Sequence, residues 1–117
     1  MERVNEEVRA ISGLLADETT QRILVETTDR PMSADELSDA CDVSPQTVYR
    51  RLEELQQHDM ITEAVEIDDD GHHHSVYTAT LDQVTIELTA DGFRFELSLR
   101  ERMAARFTQF VNEVRDR

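Results

Sequence analysis

The sequence predicts an α+β domain: four helices, two β-hairpins and a closing helix. Three observations carry that expectation. Through the first half of the chain apolar residues recur at steps of three and four; from Met60 they alternate with a period of two; beyond residue 100 the helical spacing returns. A length of 117 residues suits a single domain whose core needs no metal or disulfide, so 1–117 is read as one unit. Within it, 14–81 is the core with its first hairpin, 82–99 a second hairpin and 100–117 the closing helix.

Val4, Val8, Ile11 and Leu15 lie at helical spacing, which makes residues 1–15 an amphipathic helix. A second helix follows over 18–27. Asp17 caps it, Pro31 lies beyond its end, and Ile23, Leu24 and Thr27 face the core. Ser33 and Glu36 have the spacing of a capping box, in which each side chain accepts the other's backbone N–H; a third helix starts there and ends near Cys41. Leu37 and Cys41, four apart, share its inner face, so Cys41 reads as a small buried hydrophobe rather than a reactive thiol.

Asp42 and Val43 make a short turn. Ser44 caps the next helix, 44–58, and Pro45 takes its first position, where a missing N–H costs nothing. Val48, Leu52 and Leu55 form one stripe that binds this helix to the domain. Gln46 and Arg50 fall opposite the stripe, flanked by Thr47 and Tyr49. Arg51 lies beside it, where its stem covers the core edge and its head pairs with a local acid. For Arg50, an ion pair with Glu53 or Glu54 competes with any outward role. Two helices joined by a short turn, the second offering polar and basic groups in its N-terminal half, make the layout of a helix-turn-helix.

From Met60 the period is two. Ile61, Val65 and Ile67 share a strand face, 68–74 turns, and 75–81 returns. A hairpin directly after such a helix is the wing of a winged helix-turn-helix. In the second hairpin Val84, Ile86 and Leu88 alternate, Asp91-Gly92 turns, and Phe93, Phe95, Leu97 and Leu99 alternate back. The last helix, over 101–114, carries Met103, Phe107, Phe110 and Val114 at a 4-3-4 spacing. That seam suits packing on its own domain or on a second copy; two phenylalanines on a terminal helix favour a dimer interface. The expected fold is thus a winged helix-turn-helix with an N-terminal helix, an extra β-hairpin and a C-terminal dimerisation helix.

Composition bounds the function. The formal net charge is −14, with 26 acids spread along the chain rather than gathered in a tail. All 12 basic residues are arginine. A folded chain this acidic, free of lysine and poor in aromatics, resembles proteins of salt-in halophiles, where a Debye length of about 3 Å in molar salt screens self-repulsion. In such salt the charge no longer argues against DNA. A single cysteine fits a reducing interior. The N-terminal ten residues have no apolar signal core and no run approaches transmembrane length, so the expected location is the cytoplasm, with no membrane partner.

The stretch from Leu14 to Ile61 resembles the winged helix-turn-helix core of ArsR-type transcription regulators, especially small haloarchaeal ones. The residues that carry the likeness are Leu15-Ala16-Asp17-Glu18-Thr19 with Arg22-Ile23-Leu24, then Glu36-Leu37, Val43-Ser44 with Thr47-Val48 and Arg50, and Leu52 with Leu55. The resemblance implies DNA binding, usually as a dimer, and places Ser44, Gln46, Thr47, Tyr49 and Arg50 in the major groove. Metal-sensing members hold two cysteines just before the third helix, where this chain reads Arg30-Pro31-Met32, or histidine and acid ligands on the C-terminal helix, which here has no histidine. Both familiar metal sites are missing, and no cofactor is expected.

The turn Asp68-Asp69-Asp70-Gly71-His72-His73-His74 offers imidazole and carboxylate, which suit zinc, nickel or copper. In a strand His72 and His74 share a face and His73 points away, with Asp68 or Asp70 reaching across. Protonation of the histidines below about pH 6.5 would instead make the turn a pH switch. A solvated turn of Asp and Gly accounts for it more simply, because a cluster without a third fixed ligand is rarely a metal site.

Two functions fit. One is a sequence-specific, homodimeric DNA-binding transcription regulator with the 44–58 helix in the major groove. The alternative is an acidic winged-helix interaction module in transcription or replication without direct base readout. Catalysis is not expected: three glycines give no phosphate-cradling loop, and no Ser-His-Asp spacing or Cys-His pair stands out.

Overall fold

The computed structural model describes residues 5–100. Val4 and the expected helix over 101–114, with Met103, Phe107, Phe110 and Val114, lie outside the described residues. Four helices are followed by two antiparallel hairpins, the architecture of a winged helix-turn-helix with an added hairpin. No described helix is long and apolar enough to cross a membrane.

Helix α1 (Glu6–Ala16) begins where the Asn5 side chain accepts the N–H groups of Glu7 and Val8 at 2.9 and 3.1 Å. Its inner face runs through Ile11 and Leu14, both buried, with Val8 and Leu15 half-buried beside them; the expected stripe holds, and Leu14, which it left out, is buried next to Ile11. Asp17 ends α1 and caps α2 (Glu18–Glu26), whose Ile23 and Leu24 are buried together with the C-cap residue Thr27. The Thr27 hydroxyl survives burial because it donates to the Ile23 carbonyl at 2.8 Å. The capping box of Ser33 and Glu36 opens α3 (Ala34–Cys41), and Leu37 and Cys41 are buried as their spacing requires. Arg22 of α2 donates to the Ala40 carbonyl at 2.8 Å, placing a cation at the negative end of α3.

Helix α4 (Pro45–Gln57) seats Val48, Leu52 and Leu55 in one core with Ile11, Ile23, Leu37 and Met60. It stops at His58, and Asp59 takes a left-handed φ of 57° that directs the chain into the wing. There β1 (Ile61–Ile67) pairs with β2 (His73–Ala79), Ile61 opposite Ala79 and Ile67 opposite His73. Met32 joins this sheet through a bridge to Tyr77, with N–H···O distances of 3.0 and 2.8 Å, which fastens the wing to the helical layer.

The wing's period-two pattern is not a core face along its whole length. Ile61 is buried, whereas Val65 and Ile67 are 65% and 61% exposed. The wing's outer half extends past the helices, so its alternation has nothing to bury against.

The second hairpin pairs β3 (Leu81–Thr89) with β4 (Gly92–Leu99). The loop is Ala90-Asp91, one residue earlier than expected, because Gly92 pairs with Thr89 and its φ of 128° is a conformation side chains disfavour. Val84, Ile86 and Leu88 face Leu97, Phe95 and Phe93 across the strands. Val84, Phe95 and Leu97 lean on the core, and Asn5 at the start of α1 donates to the Phe93 carbonyl at 3.3 Å.

Candidate nucleic-acid interface

The turn between α3 and α4 is fixed by short-range bonds. Asp42 adopts φ 54°, a left-handed position that Asp tolerates better than most residues. The N–H groups of Asp42 and Val43 return to the carbonyls of Asp39 and Ser38, and the Ser38 hydroxyl donates to the Val43 carbonyl. The chain then enters α4 at Ser44, whose Oγ accepts the Thr47 N–H at 3.2 Å and lies 3.0 Å from Thr47 Oγ1. Burial of Val48, Leu52 and Leu55 then sets the rotation of the helix about its axis.

That rotation divides the five residues singled out on this helix. Gln46, Tyr49 and Arg50 are exposed, and none makes a side-chain hydrogen bond or ion pair among the described residues. Ser44 and Thr47 are engaged with each other as the cap, and Thr47 is half-buried. Their polar atoms turn to the helix end rather than straight outward.

The neighbouring arginines have different surroundings. Arg51 is held by Asp17, its Nε 3.0 Å from Oδ2 and its second amino group 3.3 Å from Oδ1, and it also reaches Glu54 at 3.4 Å. Both members of the main pair are largely covered, with 24% and 32% of their side chains exposed. Because Glu54 serves Arg51, Arg50 keeps an unpaired guanidinium on the outer face among the described residues. Burial opposes the charge on Asp17, but the Thr20 N–H, the Arg51 guanidinium and the Thr20 hydroxyl outweigh it and hold its carboxyl below the usual value. Asp17 thus caps α2, accepts from buried Thr20 at 3.0 Å, and clasps α4.

Helix ends add a further asymmetry. The first turns of α1, α2 and α3 carry Glu6 and Glu7, Glu18, and Asp35 and Glu36, each matching the positive end of its helix. The first turn of α4 carries no acid. Its positive end therefore meets only the Ser44 cap and no acid of its own first turn.

The wing has the opposite character. Asp68, Asp69 and Asp70 are exposed at its tip, where Asp68 Oδ1 accepts the N–H groups of Asp70 and His72 at 3.0 and 2.8 Å. Strand β2 starts at His73, so His72 belongs to the turn and does not share a strand face with His74. His72 Nδ1 is 3.8 Å from Asp68, while His74 Nε2 is 3.6 Å from Glu66 on the partner strand. Ligand atoms of Asp68, Asp70 and His72 lie within 4.8 Å of one another, all on exposed side chains. Ser75 and Gln56 donate to Glu63 at 2.6 and 3.0 Å, tying the wing to the end of α4 and holding the Glu63 carboxyl below its usual value.

Sequence reasoning gave Arg51 a local acid without naming it and set Glu53 or Glu54 against Arg50; Glu54 in fact serves Arg51, and the main partner, Asp17, 34 residues away, was missed. The only signal was that Asp17 is an N-cap with a free second oxygen, and nothing local says which helix crosses it.

Residues 15–64 match the family model described as a helix-turn-helix domain. The match runs from the end of α1 through α4 into β1, the segment that carries the turn and the outer face just described. No curated protein matches the chain.

Proposed function

We propose that the chain is a sequence-specific DNA-binding transcription regulator, ArsR-like and adapted to a salt-rich cytoplasm, that acts as a homodimer with α4 in the major groove. The observation that carries this reading is the outer face of α4: Gln46, Tyr49 and Arg50 stand exposed at an acid-free helix start, while Arg51 is bound to its own domain. Gln46 matches the N6/N7 edge of adenine and Arg50 the O6/N7 edge of guanine. Ser44 and the first N–H groups of α4 anchor a phosphate, and Thr47 and Tyr49 reach phosphate or a thymine methyl. Met103, Phe107, Phe110 and Val114 supply the contact between copies. In molar salt attraction to phosphate is weak, so base-edge hydrogen bonds carry most of the discrimination.

The exposed acids at the wing tip favour a second reading, a winged-helix module that binds other proteins. Selection from a random DNA library in molar KCl separates the two. A regulator enriches a motif with two half-sites about 10 base pairs apart. An interaction module enriches none.

A further inference from the structure

We propose that the apolar face of the β3–β4 hairpin receives residues 103–114 of a second copy of this chain, so that each copy's C-terminal segment lies on its partner's hairpin. The inference rests on the homodimer reading and names the surface that the C-terminal seam meets.

The hairpin has one apolar and one polar face. Val84, Ile86, Leu88, Phe93, Phe95 and Leu97 share the first, while Thr85, Glu87, Arg94 and Glu96 share the other. The core takes Val84, Phe95 and Leu97 of the apolar face, and Asn5 at the start of α1 reaches the Phe93 carbonyl. Ile86, Leu88, Phe93 and Leu99 remain 44%, 73%, 51% and 45% exposed. Large apolar side chains exposed side by side on one face of a hairpin whose other face is polar are the pattern of an interaction surface.

The occupant follows from length, connectivity, charge and area. From Leu99 to Phe93 the strand spans about 20 Å, and the helix that the spacing of Met103, Phe107, Phe110 and Val114 predicts would span about 17 Å, so the two lengths match. The chain leaves β4 at Arg100, whose N–H is held by the Thr80 carbonyl at 2.6 Å. The next residues, Glu101 and Arg102, include no glycine or proline to fold the segment back at once onto its own hairpin. Residues 101–117 carry four arginines against three acids in a chain of net charge −14, so two acidic copies do not repel through this segment. A stable interface covers roughly 800 Å² per partner. A two-fold dimer uses both patches twice, hairpin to seam and seam to hairpin, and closes without an open end.

The test uses the full-length chain in molar KCl, with buried Cys41 left in place. Sedimentation first establishes the oligomeric state. A Leu88→Cys variant is then mixed with a Phe110→Cys variant and oxidised, and the Leu88→Cys/Phe110→Cys double variant is oxidised alone at high dilution. A disulfide-linked dimer from the mixture supports the inference, as does conversion of dimer to monomer by Leu88→Glu at an unchanged fold. A monomeric parent overturns the homodimer reading and this inference with it. A dimeric parent whose mixture does not cross-link, but whose double variant closes a disulfide within one chain, overturns the inference alone. So does a dimer that links only Phe110→Cys to Phe110→Cys.

Discussion

Replacing Asp17 with alanine removes three contacts at once. The N-cap of α2 is lost, at about 1 kcal/mol. The buried Thr20 hydroxyl loses its acceptor, at about 1 kcal/mol. The two-pronged pair with Arg51, partly screened by solvent, contributes about 1 kcal/mol more. The sum, about 3 kcal/mol, corresponds to a fall in Tm of about 10 °C for a domain of this size. Asp17→Asn keeps the cap and the acceptor and gives up only the charge, so about 1 kcal/mol is expected. Thermal melts of Asp17→Ala, Arg51→Ala and the double variant form a cycle whose coupling energy should be about 1 kcal/mol and shrink as KCl rises. Two results would refute the clasp: Asp17→Ala within about 0.5 kcal/mol of the parent, or single effects that add without coupling.

Asp17 and Glu36 both have folded-state values below the ordinary 3.8 and 4.5, the latter through the Ser33 N–H and then Arg30. Their contributions are therefore present above those values and lost as pH falls through the lower folded-state ones; Asp17→Asn/Glu36→Gln should flatten the loss of stability below about pH 4. Burial raises the Cys41 thiol above its usual value, so a thiol reagent should label the native protein only at the rate of unfolding, and rapid stoichiometric labelling would contradict the packing. The acid load predicts a Tm that climbs from dilute to molar KCl, and a flat or falling Tm would remove the halophile argument.

The helices were legible because their signals are local. Asp17, Ser33 and Ser44 cap helices within three residues of themselves, and the stripe of Val48, Leu52 and Leu55 fixes which side of α4 looks outward. The outer positions of Gln46 and Arg50 followed from that stripe alone. What was not legible depends on distant neighbours. The period of two in Ile61, Val65 and Ile67 gives a strand face but cannot tell whether anything packs against it, and two of the three lie in solvent. The register at the histidines likewise depended on where the turn ended, and β2 began one residue later than an even alternation through His72 and His74 requires. The Asp17–Arg51 pair joins elements 34 residues apart, beyond any periodicity.

The central claim is that Arg50 reads DNA and Arg51 holds the fold. It is tested most directly by the ratio of affinities for the selected site and for random DNA, titrated in molar KCl with Arg50→Ala and Arg51→Ala beside the parent. If Arg50 makes a bidentate base contact, its loss should cost about 1–3 kcal/mol of specific binding, relax preference at one base position and leave Tm unchanged. Arg51→Ala should keep the ratio and melt earlier. An Arg50→Ala variant that keeps the parent's ratio would contradict the account and give the lead to the interaction module.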